Sequence, residues 1–277
     1  DFLPGAWLVR LTDVKASILL KGPQRHVNAK LLVASVQGSA TALTIPKVTV
    51  DLDAAASGAA IKANLTASIA ANLAKQDLTA DVNGKLDDST VKAKIMLTHF
   101  APLKATFDLA LDRLNIDRYA PPDRKGKEAK SDDRVDLAAL KGKTVSGKLA
   151  IGALTARRAK LENVKADIKL ADGRLDVAPH SANLYGGTLA GSLTADANGN
   201  RISVKEAAQN VSIGALLRDV AQKDVLEGRG NVSLDVQTSG GTVTALKKAL
   251  AGNARVEMKD GAIKGVNLAD SARNMKS

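Results

Sequence analysis

The chain has 277 residues, of which 45% are hydrophobic, only 2% are aromatic and none is cysteine. Disulfide bonds and thiol chemistry are therefore excluded, and an apolar content of mostly Ala, Leu, Val and Ile suits wide sheets better than a thick core of aromatic rings. The net charge of +11 permits contact with nucleic acid or with anionic lipid head groups and does not choose between them.

Alternating apolar and polar residues dominate the chain, as in IKANLTASIA (61–70), VKAKIML (91–97) and ATFDLAL (105–111). In each segment the apolar residues fall on one face of an extended strand and the polar residues on the other, which is typical of antiparallel sheets. Asn-Gly and Asp-Gly corners separate such segments. The sequence therefore predicts a mainly β fold, a long antiparallel meander of about fifteen short strands.

The stretch YAPPDRKGKEAKSDDRVD (119–136) interrupts this pattern with adjacent prolines and a mixed run of charges. We interpret it as an exposed linker or long loop. A solvated loop and a docking patch for anionic head groups are both compatible with its composition. It divides the chain into a first curved β-sheet at 1–118, a charged linker or long loop at 119–143, and a C-terminal β region at 144–277. The C-terminal strands either extend the first sheet or form a second one.

Two segments of the C-terminal region have helical spacing. In SIGALLRDVAQ (212–222), apolar residues recur as in an amphipathic helix, and Ser212 is a candidate N-cap. In GTVTALKKALAG (241–252), Thr242 can cap the start of a helix and Gly252 can end it. We expect two short amphipathic helices that lie on the sheet or close one end of it.

Residue types that carry catalysis or metal binding are few and scattered. The three histidines, His26, His99 and His180, have no partner at metal-ligand spacing. Neither a G-x-S-x-G elbow nor a phosphate-binding loop is present. Single-strand nucleic-acid binders stack bases on aromatic side chains, which are scarce here. We therefore predict a protein that is not an enzyme, that uses no metal or cofactor, and that has no nucleic acid partner.

The apolar positions of the predicted strands often hold small residues, such as Ala63, Ala67, Ala93 and Ala105. Small side chains leave space, and a sheet curled into a trough could keep that space for an apolar guest. Exposing two C16 lipid chains to water costs on the order of 25 kcal/mol, at about 0.8 kcal/mol per CH₂, and a continuous apolar groove would remove most of this barrier. The alternative is an alanine-rich sandwich packed on itself and on its two helices. The candidate groove residues are Leu65, Ile69, Val91, Ile95, Leu97, Phe107 and Leu109.

A set of motifs in the C-terminal region resembles the bacterial AsmA family. NLYGGTLAGSL (183–193) is similar to the family's "LYgG-x-l-x-G" hairpin. A predicted helix, EGRG (227–230), ALAG (249–252) and DGAIKGVNL (260–268) then follow in the family's order. Upstream, LDRLNIDRYAPP (111–122) resembles the family segment that precedes a variable charged insert. The resemblance covers nearly the whole chain.

The resemblance implies a β-groove of the bridge-like lipid-transfer type, a meander curled like a taco. It implies a non-enzymatic protein of the Gram-negative periplasm, anchored in the inner membrane by a helix upstream of this chain. Its hydrophobic groove would shield phospholipid acyl chains and support outer-membrane biogenesis and lipid homeostasis, with phospholipids and other envelope proteins as partners. The alternative function is that of a structural or scaffold envelope protein, with a self-packed β core, that binds other envelope proteins.

The hairpin motif has a structural interpretation. Gly186 and Gly187 are expected to permit a sharp turn or bulge that a Cβ atom would obstruct, and Gly191 is expected to be a structural residue of the same hairpin. Tyr185 is expected to pack at the end of the hairpin as a plug, and we assign it no catalytic role.

Overall fold

The computed structural model of the protein describes residues 9–22, 25–39, 41–56, 59–119 and 134–264. Within these ranges the chain forms one sheet of 14 strands, and every strand pairs with its neighbours in sequence. The strands are β1 (Val9–Gly22), β2 (Arg25–Gly38), β3 (Ala42–Ala56), β4 (Ala59–Asn72), β5 (Asp77–Leu86), β6 (Ser89–His99), β7 (Leu103–Asn115), β8 (Lys143–Ala156), β9 (Ala159–Ala171), β10 (Arg174–Leu184), β11 (Gly187–Asp196), β12 (Arg201–Ser212), β13 (Leu226–Ser239) and β14 (Ala251–Ile263). The predicted mainly β fold with two short helices is confirmed.

The meander is antiparallel except at one point, where β7 and β8 pair in parallel. After β7 a short 3₁₀ turn, Ile116–Arg118, lies at one end of the sheet, whereas the chain enters β8 from the opposite end. A parallel pair needs a crossover of a dozen or more residues, and residues 116–142 are long enough to provide it. The sheet is therefore mixed, because β8 begins at the end of the sheet where β7 began and runs in the same direction as β7.

The strands after this crossover extend the first sheet and do not form a second one, since β7 pairs directly with β8. The division into units at 118 and 144 stays a prediction. Most of the charged stretch, 120–133, lies outside the described residues. The flanking residues are fixed at opposite ends of the sheet: Tyr119 donates a hydrogen bond to Asp87, and the Val135 N–H donates one to the Gly241 carbonyl at 3.0 Å.

The two helices are α1 (Ile213–Ala221) and α2 (Val243–Lys248). Ser212 occupies the N-cap position of α1, as predicted, although its side chain makes no capping hydrogen bond. Thr242 caps α2 by accepting a hydrogen bond from the Ala245 N–H at 3.1 Å. The prediction for Gly252 was wrong: α2 ends at Lys248 and Gly252 lies in β14, because the chain turns straight into that strand.

Few side chains are fully buried in this sheet. A small core forms where α1 packs against β9, β12 and β13. Its buried members are Leu184, Ala208, Val211 and Ile213. Strands β1 and β14 each pair with one neighbour only in the described part of the chain, so the sheet is open rather than closed on itself.

Candidate functional site

All predicted groove residues lie on the same face of the sheet, which we call the apolar face. Strand register pairs Leu65 with Gly84 and Gly84 with Val91. A second row across the sheet contains Ile69, Ala80, Ile95 and Phe107. Leu97 and Leu109 alternate onto this face with their strand neighbours. Contact of these residues with a lipid stays a prediction, whereas their common orientation follows from the register.

The apolar face is continuous over most of the sheet. At strand spacings of about 4.8 Å, nine neighbouring strands cover roughly 40 Å, which is a long path without a charged side chain in its central row. This central row runs from β1 to β9 through Val14, Val33, Val48, Ala67, Val82, Ala93, Leu109, Leu149 and Ala166.

No second layer covers this face over β1 to β8 in the described part of the chain: the strands pack against their sequence neighbours, and the helices α1 and α2 contact only strands of the C-terminal part, β9, β12 and β13. Ile18, Leu20 and Leu31 belong to the face and are 57%, 61% and 38% exposed. Domains normally bury an apolar sheet face against a second layer. Here the space in front of the face is left unfilled by the chain's own described residues.

The solvent exposure of alanine side chains differs between the two faces. Ala110 and Ala150 on the opposite face are exposed, whereas Ala93 and Ala105 on the apolar face are half-buried. Because the side chain is the same, the shielding must come from neighbouring residues on the apolar face. The apolar face therefore shields small side chains from water more than the polar face does.

The turn between β10 and β11 explains the Tyr-Gly-Gly sequence. Tyr185 and Gly186 have φ of 46° and 75°, in the left-handed region that glycine adopts without strain. A Cβ at Gly187 would lie 2.3 Å from the Gln209 carbonyl oxygen, so the neighbouring strand excludes any side chain there. Tyr185 packs against the core under α1, and burial followed by its hydrogen bond to Asp219 raises the pKa of its phenol.

The AsmA family model matches residues 23–277. The chain belongs to the AsmA family. This family is associated with the cell envelope and is not a known enzyme family. No curated protein and no solved structure gives a significant match to the chain. None of the helices in the described ranges combines the length and hydropathy that crossing a membrane requires.

The polar face of this AsmA family member carries a row of alternating charges. Asp81, Lys94, Asp108, Lys148 and Asp167 occupy paired positions on β5 to β9. Opposite charges at such positions stabilise a sheet, and their alternation prevents a patch of one sign. Two open depressions, of about 560 and 760 Å³, follow this row. Their linings combine this charged row with predicted groove residues: Ile95 and Phe107 line the smaller depression, and Leu109 lines the larger one.

Gly191 lies in the middle of β11, the second strand of the hairpin. Its neighbours in register are His180 on β10 and Glu206 on β12. A Cβ at Gly191 would lie 2.4 Å from Glu206 Oε2. The missing side chain thus lets Glu206 reach across β11 to His180, whose Nε2 is 2.9 Å from Glu206 Oε1.

The sequence did not reveal this pair, because its members are separated by 26 positions and only the register joins them. The one available signal was a glycine in the middle of an alternating strand, which often marks close approach of another group. Among the described residues, no group of three or more His, Asp or Glu side chains is placed to hold a metal ion.

Proposed function

We propose that the protein is a non-enzymatic lipid-handling protein of the periplasm, whose apolar face shields phospholipid acyl chains. In this proposal it supports outer-membrane biogenesis and lipid homeostasis, and a helix upstream of the chain holds it at the inner membrane. The observation that carries the proposal is the continuous apolar face that no second layer covers in the described residues. Membership of an envelope-associated family supports the location.

The energetics favour an aliphatic guest. Ile18, Leu20 and Ile95 expose side chains to water on this face, and each CH₂ removed from water on either partner contributes about 0.8 kcal/mol. The face offers few hydrogen-bonding groups, so it would bind hydrocarbon favourably and polar ligands unfavourably. An acyl chain that lies across the strands can move along the row without breaking specific bonds, and such passage needs no catalytic residue.

The scaffold alternative requires that the chain fill its own apolar face. That condition holds at one end only, where α1 covers the core of Leu184, Ala208, Val211 and Ile213. Ile18 on β1, Leu31 on β2 and Ile95 on β6 are exposed on this face and favour an external guest over self-packing. Val48, Val91 and Ile151 on the same face are buried by their neighbours within the sheet.

The test is direct lipid loading. Purified protein is incubated with vesicles of phosphatidylethanolamine and phosphatidylglycerol, separated from them by size exclusion, and extracted with organic solvent. The proposal expects about one or more phospholipids per protein molecule in the extract. Protein that emerges free of phospholipid, while retaining its β circular dichroism spectrum, contradicts the proposal and favours the scaffold alternative.

A further inference from the structure

The central row of the apolar face changes character at β10. After Ala166 on β9 it continues through His180, Gly191 and Glu206 before it returns to Leu234 on β13. We propose that His180 and Glu206 set the limit of the acyl-chain surface, so that bound hydrocarbon occupies the face of β1 to β9 and does not extend over β10 to β13. This inference rests on the proposed function and adds the boundary of its binding surface.

Hydrogen bonds hold His180 and Glu206 in defined positions on the apolar face. His180 Nε2 lies 2.9 and 3.0 Å from the two carboxylate oxygens of Glu206, and His180 Nδ1 lies 3.2 Å from the Val177 carbonyl oxygen. The side chains of His180 and Glu206 are 17% and 24% exposed. Both ring nitrogens are thus engaged, and water still reaches part of the pair.

Hydrocarbon has opposite effects on the two halves of the row. Over residues such as Leu109 and Leu149, an acyl chain displaces water from apolar surface, which is favourable. Over the pair, it would remove the remaining water from a carboxylate and its partner and supply no hydrogen bond in return, which is unfavourable. The free energy of lipid contact therefore changes sign between β9 and β10.

A second observation points to the same boundary. Helix α1 covers the neighbouring part of the apolar face, where Leu184 on β10 and Ala208 on β12 are buried beneath it. These residues alternate onto the same side of their strands as His180 and Glu206. Beyond β9 the face is therefore closed by protein on one flank and interrupted by the hydrogen-bonded His180–Glu206 pair in its centre.

Photo-crosslinking can locate the hydrocarbon. Benzoylphenylalanine is placed at Leu109 or at Leu234, which lie in the same row on either side of the pair, and the protein is loaded from vesicles of phosphatidylethanolamine and phosphatidylglycerol. We expect lipid adducts at position 109 to exceed those at 234 by about tenfold. In the double variant His180→Leu, Glu206→Leu, which makes the row apolar throughout, adducts at 234 should rise to within about twofold of those at 109.

The matched control removes an ion pair from the opposite face, between β12 and β13. Lys205 Nζ and Asp235 Oδ2 are 3.0 Å apart and exposed, and Lys205→Leu, Asp235→Leu should leave adducts at 234 low. Equal adducts at 109 and 234 in the otherwise unmodified protein would overturn the boundary, and that comparison needs no change to the pair. Adducts at 234 that stay low in a folded double variant would overturn the role of His180 and Glu206. An absence of adducts at both positions would instead overturn the proposed function.

Discussion

Tyr185 donates a hydrogen bond from its Oη to Asp219 Oδ2 at 2.8 Å, and this bond joins the turn between β10 and β11 to helix α1. Lys160 on β9 reaches the same carboxylate oxygen at 3.0 Å. The hydrogen bond from Tyr185, and then that from Lys160, lowers the pKa of Asp219. The Asp219 carboxylate thus links the turn between β10 and β11 and strand β9 to helix α1, which covers the end of the apolar face.

Tyr185→Phe tests this junction. The variant keeps the ring in the core and removes the hydroxyl, which donates to Asp219 and accepts from the Lys160 backbone N–H at 3.2 Å. We therefore expect a thermal midpoint lower by a few degrees. Asp219→Ala should cost more, because both Tyr185 and Lys160 lose a partner. Thr188→Ala, an exposed position in the same hairpin, is the control and should melt like the unmodified protein. Identical midpoints for Tyr185→Phe and the control would show that the bond does not hold α1 in place.

Stability at high pH should depend on Tyr119. Burial, followed by the hydrogen bond to Asp87, raises the pKa of Tyr119 from 10.0 to about 12. The folded state therefore holds the phenolic proton more tightly than the unfolded chain, so this contribution is complete below pH 10 and is lost as the pH rises toward 12. Thermal melts of the unmodified protein and of Tyr119→Phe should converge across that window, and parallel curves would contradict the assignment.

The hydrogen bond between Tyr119 and Asp87 also makes stability depend on pH in the acid range, where stability is lost as the pH falls. Burial raises the pKa of Asp87, but hydrogen bonds from Tyr119 and the Lys62 N–H outweigh it, and the net pKa is lowered. A lowered carboxyl pKa stabilises the fold above the unfolded value of about 4 and ceases to do so as the pH falls through the folded value. Asp87→Asn should flatten the acid limb of the melting curve, and an unchanged acid limb would argue against this role.

Replacing Ile213 or Ile95 with alanine distinguishes a buried core position from a position on an open face. Ile213 is 7% exposed under α1, and Ile213→Ala should lower the free energy of unfolding by about 2–5 kcal/mol. Ile95 is 36% exposed on the apolar face, and Ile95→Ala should cost less than half as much. Urea denaturation measures both values. Equal losses would mean that Ile95 is covered, and the apolar face would then be self-packed.

Sequence alternation predicted the strands and the face on which the groove residues lie, because a period of two fixes the side of each residue whatever its partner is. It could not predict the parallel pairing of β7 with β8, since parallel and antiparallel strands alternate alike. The position of His180 on the apolar face could not be predicted for a different reason. Strict alternation from Val177 would place Ser181 on the apolar face, but a register shift between Val177 and His180 moves His180 there instead.

The central claim is that the apolar face, and not the polar one, binds lipid. Ile95 and Met96 are adjacent residues on opposite faces and are 36% and 47% exposed. Ile95→Asp and Met96→Asp therefore introduce the same charge in place of an apolar side chain, one on each face. Circular dichroism establishes that both variants fold.

Native mass spectrometry of the protein and these two variants, each loaded from the same phospholipid vesicles, is the most direct measurement. The account predicts that the unmodified protein and Met96→Asp carry phospholipid, and that Ile95→Asp carries at least about tenfold less. Equal loading of the two variants, or loss of lipid from Met96→Asp alone, would contradict it.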